Sequence, residues 1–168
     1  MMKIKKTNAI RILEQNKINY EYHIHDVDKD DIIGYSYFKE NNIDLKLVYK
    51  TLVLKGDKTG FLVAMLPLDM EIDLKKLAKC SKNKSIEMIN QKDLTKITGY
   101  IRGGCSPIGM KKTFSTYIQD DVLLSDKIYF SAGMVGGQIY MEPKELIKLL
   151  DIKVCGFAKY KEKEYEII

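Results

Sequence analysis

Three short segments of the 168-residue chain carry groups able to do chemistry. Lys50 stands within the apolar run Val48-Tyr49-Lys50-Thr51-Leu52-Val53-Leu54. An amine there either faces solvent, as strand alternation allows, or lines a pocket where a ligand compensates its lost hydration. The second segment is Gly103-Gly104-Cys105-Ser106-Pro107-Ile108-Gly109. Successive glycines let main-chain N–H groups converge on an anionic oxygen, while Ser106 adds a hydroxyl and Pro107 stiffens the turn. The segment matches neither the dinucleotide fingerprint nor a P-loop, and an ordinary loop is the alternative. Third, Tyr129-Phe130-Ser131-Ala132-Gly133 leads through Gly136-Gly137 to Gln138. Small residues at a strand end line a cleft or make a plain turn.

Other reactive side chains lack partners. Cys105 would need an adjacent base to become a nucleophile, and nothing ties His23 or His25 to its loop. A metal site on His23, His25 and Asp26 lacks further ligands. Cys80, Cys105 and Cys155 are far apart with no C-x-x-C pair, so three free thiols in a reducing compartment are expected. The net charge of +5 comes from 26 Lys and 2 Arg against 23 acidic residues. This balance favours an anionic partner without choosing among nucleic acid, acidic membrane and phosphorylated metabolite. Lysine point charges suit diffuse phosphate contact better than reading base edges of duplex DNA, so no DNA partner is expected. The longest apolar run, Phe61 to Leu66, is far short of the ~20 residues of a membrane span. Met1-Met2-Lys3-Ile4-Lys5-Lys6 is not followed by an apolar stretch, so no secretory signal is expected, and the expected address is the cytoplasm.

The elements that must position these groups are legible as periodicities. Thr7 caps a helix with apolar Ala9, Ile10, Ile12 and Leu13, ending near Asn16. Ile18, Tyr20, Tyr22 and Ile24 alternate as a half-buried strand with His23 and His25 on its opposite face. Gly34 to Asn42 reads as a short helix with Tyr37 and Phe38 inward. Val48–Leu54 and Phe61–Leu66 form a hairpin around Gly56-Asp57-Lys58-Thr59-Gly60. Asp73 caps a helix through Leu74, Leu77 and Ala78, whose outer face carries Lys75, Lys76 and Lys79, with Lys82 and Lys84 beyond. Asn90 caps a short helix from Gln91 to Ile97. Strands follow at Phe114–Ile118, Ile128–Ser131 and Gln138–Met141, then a helix opened by Pro143 and a closing strand in Ile152–Phe157. Short hairpin connections outweigh long crossovers, so the expectation is one mixed α/β domain of the α+β type, over 1–160, with a charged tail at 161–168. Its sheet should be mainly antiparallel or mixed.

In order and spacing, Val48-Tyr49-Lys50-Thr51-Leu52, Asp73-Leu74-Lys75-Lys76-Leu77-Ala78-Lys79, Thr98-Gly99-Tyr100, Gly103 to Gly109 and Ser131-Ala132-Gly133 resemble the YbaK/EbsC family. Its members are free-standing relatives of the prolyl-tRNA synthetase editing domain. The likeness spans nearly the whole chain and is strongest to the short branch that hydrolyses cysteinyl-tRNA made in error on proline tRNA. It implies a barrel-like, mainly antiparallel sheet with flanking helices, and no metal or organic cofactor. It also implies that Lys50 is essential, that Gly103, Gly104, Ser106 and Pro107 wall the aminoacyl pocket, and that Ser131, Ala132 and Gly133 help bind the terminal adenosine or aminoacyl group. Thr51 and Tyr100 lie within matching strings and join the substrate-binding set. So does His25, which stands where the family commonly has tyrosine. A second departure is Met134-Val135-Gly136-Gly137-Gln138, which lacks the family's frequent basic and acidic residues. In the mechanism the resemblance implies, the substrate's own thiol attacks its ester carbonyl and expels the tRNA, with no side-chain nucleophile.

Two other readings stay open: a non-catalytic tRNA-end or synthetase-binding module of the same fold, and a deacylase for alanyl- or seryl-tRNA. In each, Lys75, Lys76, Lys79, Lys82, Lys84, Lys111 and Lys112 are candidates to hold the tRNA acceptor end, and prolyl-tRNA synthetase is a candidate partner. Charge reversal at Lys75, Lys76 and Lys79 is expected to weaken tRNA binding and flatten its salt dependence, by ~0.9 in log–log slope for each phosphate no longer neutralised. An unchanged slope in a filter-binding titration removes the patch.

Overall fold

The computed structural model describes residues 5–161. Its helices are α1 (Asn8–Gln15), α2 (Tyr35–Glu40), α3 (Leu74–Ser81), α4 (Leu94–Thr98) and α5 (Pro143–Leu150). Its strands are β1 (Glu21–Ile24), β2 (Tyr49–Gly56), β3 (Gly60–Pro67), β4 (Met70–Ile72), β5 (Ile86–Met88), β6 (Ser115–Gln119), β7 (Ile128–Ser131), β8 (Gly137–Met141), β9 (Lys153–Cys155) and β10 (Ala158–Tyr160). A five-stranded sheet runs β5-β2-β3-β6-β9; β2 and β3 form the expected hairpin, while β6 lies parallel to both β3 and β9. A three-stranded antiparallel sheet, β1-β8-β7, meets it at a bridge between Val48 and Tyr129. A further pair, β4 with β10, stands apart.

β3 is apolar along its length because both faces of the larger sheet are covered. On one face Leu54, Leu62, Ala64, Leu66 and Tyr117 pack with Leu77 and Ala78 of α3 and with Phe157. On the other, Tyr49, Met65 and Ile118 pack with α1, α5 and the inner residues Phe130 and Ile139 of the smaller sheet. Each fully buried leucine here contributes roughly 1.5–3 kcal/mol of transfer free energy. Helix starts follow local chemistry: Thr7 accepts from the Ile10 amide, Asp73 accepts from the amides of Lys75 and Lys76, and Pro143 occupies the first turn of α5.

Three differences from the sequence reading have physical causes. β1 is an edge strand that ends at Ile24, which is 49% exposed, whereas His23 on the other face packs beside Tyr129 and Tyr140. Cys80 and Cys155 are not free thiols: they form a disulfide with Cα atoms 6.4 Å apart, leaving Cys105 as the free cysteine. The pair is 75 residues apart in sequence, and only the placement of β9 near α3 brings the sulfurs together. The closing segment is two strands, β9 and β10, where a single strand in Ile152–Phe157 was expected, and the second of them runs through Tyr160. Residues 162–168 of the expected tail lie outside the described residues.

The turn between these last strands hangs on one buried amide. Gln119 Oε1 accepts from the backbone N–H groups of Phe157 and Ala158, both at 2.8 Å. Gln119→Leu strands both donors, at ~1–3 kcal/mol for a buried unsatisfied group. Urea unfolding should therefore show a loss of about 2–4 kcal/mol; a loss below about 0.5 contradicts this anchoring role.

Candidate active site

β3 accompanies β2 along its whole length, but β5 pairs with the opposite edge only from Leu54 to Gly56. Tyr49 to Val53 therefore have no strand partner on that side among the described residues, and they wall a cavity of about 390 Å³. An unpaired edge presents main-chain donors and acceptors that most proteins must cover. The same cavity is lined by Arg102, by Gly103 and Cys105 of the glycine loop, and by Ser131 and Gln138 from the paired ends of β7 and β8. Tyr35, Phe38, Leu68 and Lys161 add further walls.

Lys50 reaches this space under tight constraint. Its Nζ donates to the carbonyl of Met70 at 2.6 Å, and Met70 is fixed by the β4–β10 pairing. Burial lowers the Lys50 pKa from 10.5 to about 8; the charge of Lys161 pushes the same way, and Glu71 and Asp69 oppose it. At neutral pH the group is still an ammonium, with one of its three donors used on Met70 and two left for a ligand. Thr51 Oγ1, in the same wall, is buried without a hydrogen-bond partner among the described residues. A buried hydroxyl in that state is a natural ligand contact.

The glycine loop is shaped from behind. A side chain at Gly104 would approach the backbone of Met134 and Val135 to 2.9 Å, so only glycine lets the two segments touch. Gly133, at φ +99°, lies against the Tyr100 ring, whose hydroxyl donates to the Ile108 carbonyl at 2.6 Å. Ser106 is fully buried, and its Oγ accepts from the Ile108 amide at 3.3 Å. Tyr100, Gly104, Ser106, Pro107, Ala132 and Gly133 thus do not line the cavity; Tyr100, Gly104, Ser106 and Gly133 brace the residues that do. His25 is elsewhere too, its ring stacked on Tyr37 with centroids 3.9 Å apart. Of the sequence-derived set, Lys50, Thr51, Gly103 and Ser131 converge on one space.

Cys105 lines the cavity, but burial pushes its thiol up to about 11, and neither histidine reaches that wall, so thiolate attack has no support. Among the described residues, no three His, Cys, Asp or Glu side chains cluster as metal ligands. The α3 lysines Lys75, Lys76 and Lys79, with Lys82 and Lys84 after them, are exposed and line no part of the cavity. Lys111 and Lys112 line an adjoining groove. Gln138, Arg102 and Lys161 were missed by sequence reasoning. Gln138 had a signal, since the hairpin register sets it directly opposite Ser131.

This fold, with a lysine and a glycine loop at a free strand edge, is that of an aminoacyl-tRNA editing domain. The family model of that description matches residues 37–149, and the chain belongs to the family. It is 46% identical over 144 residues to the Enterococcus faecalis protein EbsC, provisionally named a Cys-tRNA(Pro)/Cys-tRNA(Cys) deacylase, covering 86% of this chain and 88% of that one. A crystal structure described as a proposed trans-editing enzyme for prolyl-tRNA synthetase superposes with a TM-score of 0.75 at 18% identity, covering 91% of this chain and 98% of that one. A hypothetical protein superposes with a TM-score of 0.82 at 14% identity, covering 91% and 100%. These two likenesses establish the fold alone.

Because the folded Lys50 pKa of about 8 lies below the free value of 10.5, the unfolded chain binds more protons between those pH values, and stability rises with pH across that window. Side-chain NMR of Lys50 should show a midpoint at about 8. A midpoint near 10.5, the free value, contradicts the burial described.

Proposed function

We propose that this chain is a trans-editing deacylase that releases cysteine esterified to proline tRNA. The observation that carries the reading is the convergence of Lys50, the unpaired β2 edge, Gly103 and Ser131 on one cavity. The relation to EbsC supports the substrate class. In this reading the cysteine thiol attacks its own ester carbonyl. The S–C bond forms, the bond to the ribose oxygen breaks, and the thiol proton passes to that oxygen as the tRNA leaves. Water then opens the cyclic thioester. The protein holds thiol and carbonyl in register, and the Lys50 ammonium with main-chain N–H groups stabilises the developing oxyanion; both contributions are of several kcal/mol in known enzymes. Thr51 and Ser131 hold the aminoacyl group or terminal adenosine, and Tyr100, Gly104, Ser106 and Gly133 keep the loop in shape. Lys75, Lys76, Lys79, Lys82 and Lys84 meet the acceptor stem. The resemblance supports prolyl-tRNA synthetase as the protein that presents this tRNA, in the cytoplasm.

A deacylation assay on cysteinyl-, alanyl- and seryl-tRNA tests the reading. Cysteinyl-tRNA should be cleaved fastest, and Lys50→Ala should lower kcat/KM at least about 100-fold, the scale for losing one oxyanion donor. For the wild type, kcat/KM should fall as pH rises through about 8, where Lys50 loses its charge. Full activity of Lys50→Ala overturns the assigned centre. Equal turnover of all three esters overturns thiol assistance.

A further inference from the structure

A second depression, of about 680 Å³, adjoins the cavity and shares Met88 and Ile89 with it. Met88 is 52% exposed, an apolar ridge between the two spaces. Four lysines line the outer depression, Lys55, Lys96, Lys111 and Lys112, against two carboxylates, Glu87 and Asp93. It also holds two half-buried rings, Phe61 and Phe114, packed edge to face with centroids 6.2 Å apart. Lys55 Nζ lies 5.7 Å from the centre of the Phe61 ring. Half-buried aromatic rings among lysines are the combination that binds single-stranded nucleic acid, bases stacking on rings while amines follow the phosphates. A duplex keeps its bases stacked on one another and offers these rings nothing, and an acidic peptide brings carboxylates without a flat π-face.

We propose that this groove holds the unpaired nucleotides that precede the esterified adenosine of the tRNA. With the ester in the cavity, the strand leaves over Met88 and Ile89, sets a base against Phe114 and Phe61, and runs its phosphates along Lys111 and Lys112. The identity of the RNA rests on the deacylase reading; the stacking and charge chemistry does not.

The test is fluorescence anisotropy of the full chain with a labelled single-stranded RNA hexamer ending in CCA, and with a blunt duplex of matched length. Phe114→Leu should weaken the single strand about tenfold, leave its salt slope unchanged and leave duplex binding untouched. Phe114→Tyr, which keeps the ring, should bind like wild type. Lys111→Gln combined with Lys112→Gln should reduce the single-strand salt slope by about 1.4, at ~0.7 per phosphate. Thermal unfolding of each variant confirms folding, and if Phe114→Leu does not fold, the lysine pair decides. Wild-type affinity in Phe114→Leu, an equal loss on the duplex, or an unchanged slope in the lysine variant overturns the groove. Since no turnover is read, the two failures are separable. Binding as described with no deacylation sinks the proposed function alone, and deacylation without ring-dependent binding sinks the groove alone.

Discussion

The hydrogen bond from the Lys50 ammonium to the Met70 carbonyl is what allows a cation to stand half-buried in the β2 wall of the cavity. A lysine among Leu52, Phe38 and Leu68 loses much of its hydration and needs a fixed acceptor to remain charged. The acceptor is a main-chain oxygen that cannot ionise or rotate away. Its position depends on β4, β4 depends on β10, and β10 enters its pairing through the turn that Gln119 holds. The end of the described chain thereby sets the geometry of a residue near its first third. Lys161, just past β10, extends the same coupling by lowering the affinity of Lys50 for its proton.

A second constraint comes from what the sheet leaves unfinished. Had β5 followed β2 to its start, the Tyr49–Val53 edge would be hydrogen-bonded and no cavity would exist. Because β5 is three residues long, the edge is free. The glycine loop and the β7–β8 end close around it. Closing them requires backbone to touch backbone at Gly104, and Gly103 beside it holds a φ of +82°, so each of the paired glycines has its own steric reason. The resulting chemistry is electrostatic: a positioned cation, main-chain dipoles and small polar side chains. In a space shielded from water such groups exert their largest effect on a developing charge.

Local chemistry was readable from the residues and non-local pairing was not. The Gly56–Gly60 turn, the caps Thr7 and Asp73 and the first-turn Pro143 each act within a few residues, and each element stands where the pattern put it. β4, β5 and β10 are three residues each and leave no periodic trace; their existence depends on partners far along the chain. The disulfide between Cys80 and Cys155 was hidden for the same reason. In the site, composition marked the right segments but not which atoms turn inward. Thr51 faces the cavity, whereas Ser106, an equally plausible hydroxyl, is turned away to the Ile108 amide. His25 joined the candidate set because it stands where the family commonly has tyrosine, yet the chain leaves β1 before it and the ring settles on Tyr37. Gln138, noticed in the sequence for the charge it lacks, is a wall residue opposite Ser131.

The most direct measurement of the central claim is a crystal structure with 3′-cysteinylamino-adenosine, in which an amide replaces the scissile ester. The carbonyl oxygen of the ligand should lie within about 3 Å of Lys50 Nζ, at hydrogen-bond distance, with the cysteine thiol on the β2-edge side of the cavity. A ligand seated outside that cavity, or one whose carbonyl leaves Lys50 bonded to Met70 alone, would contradict it.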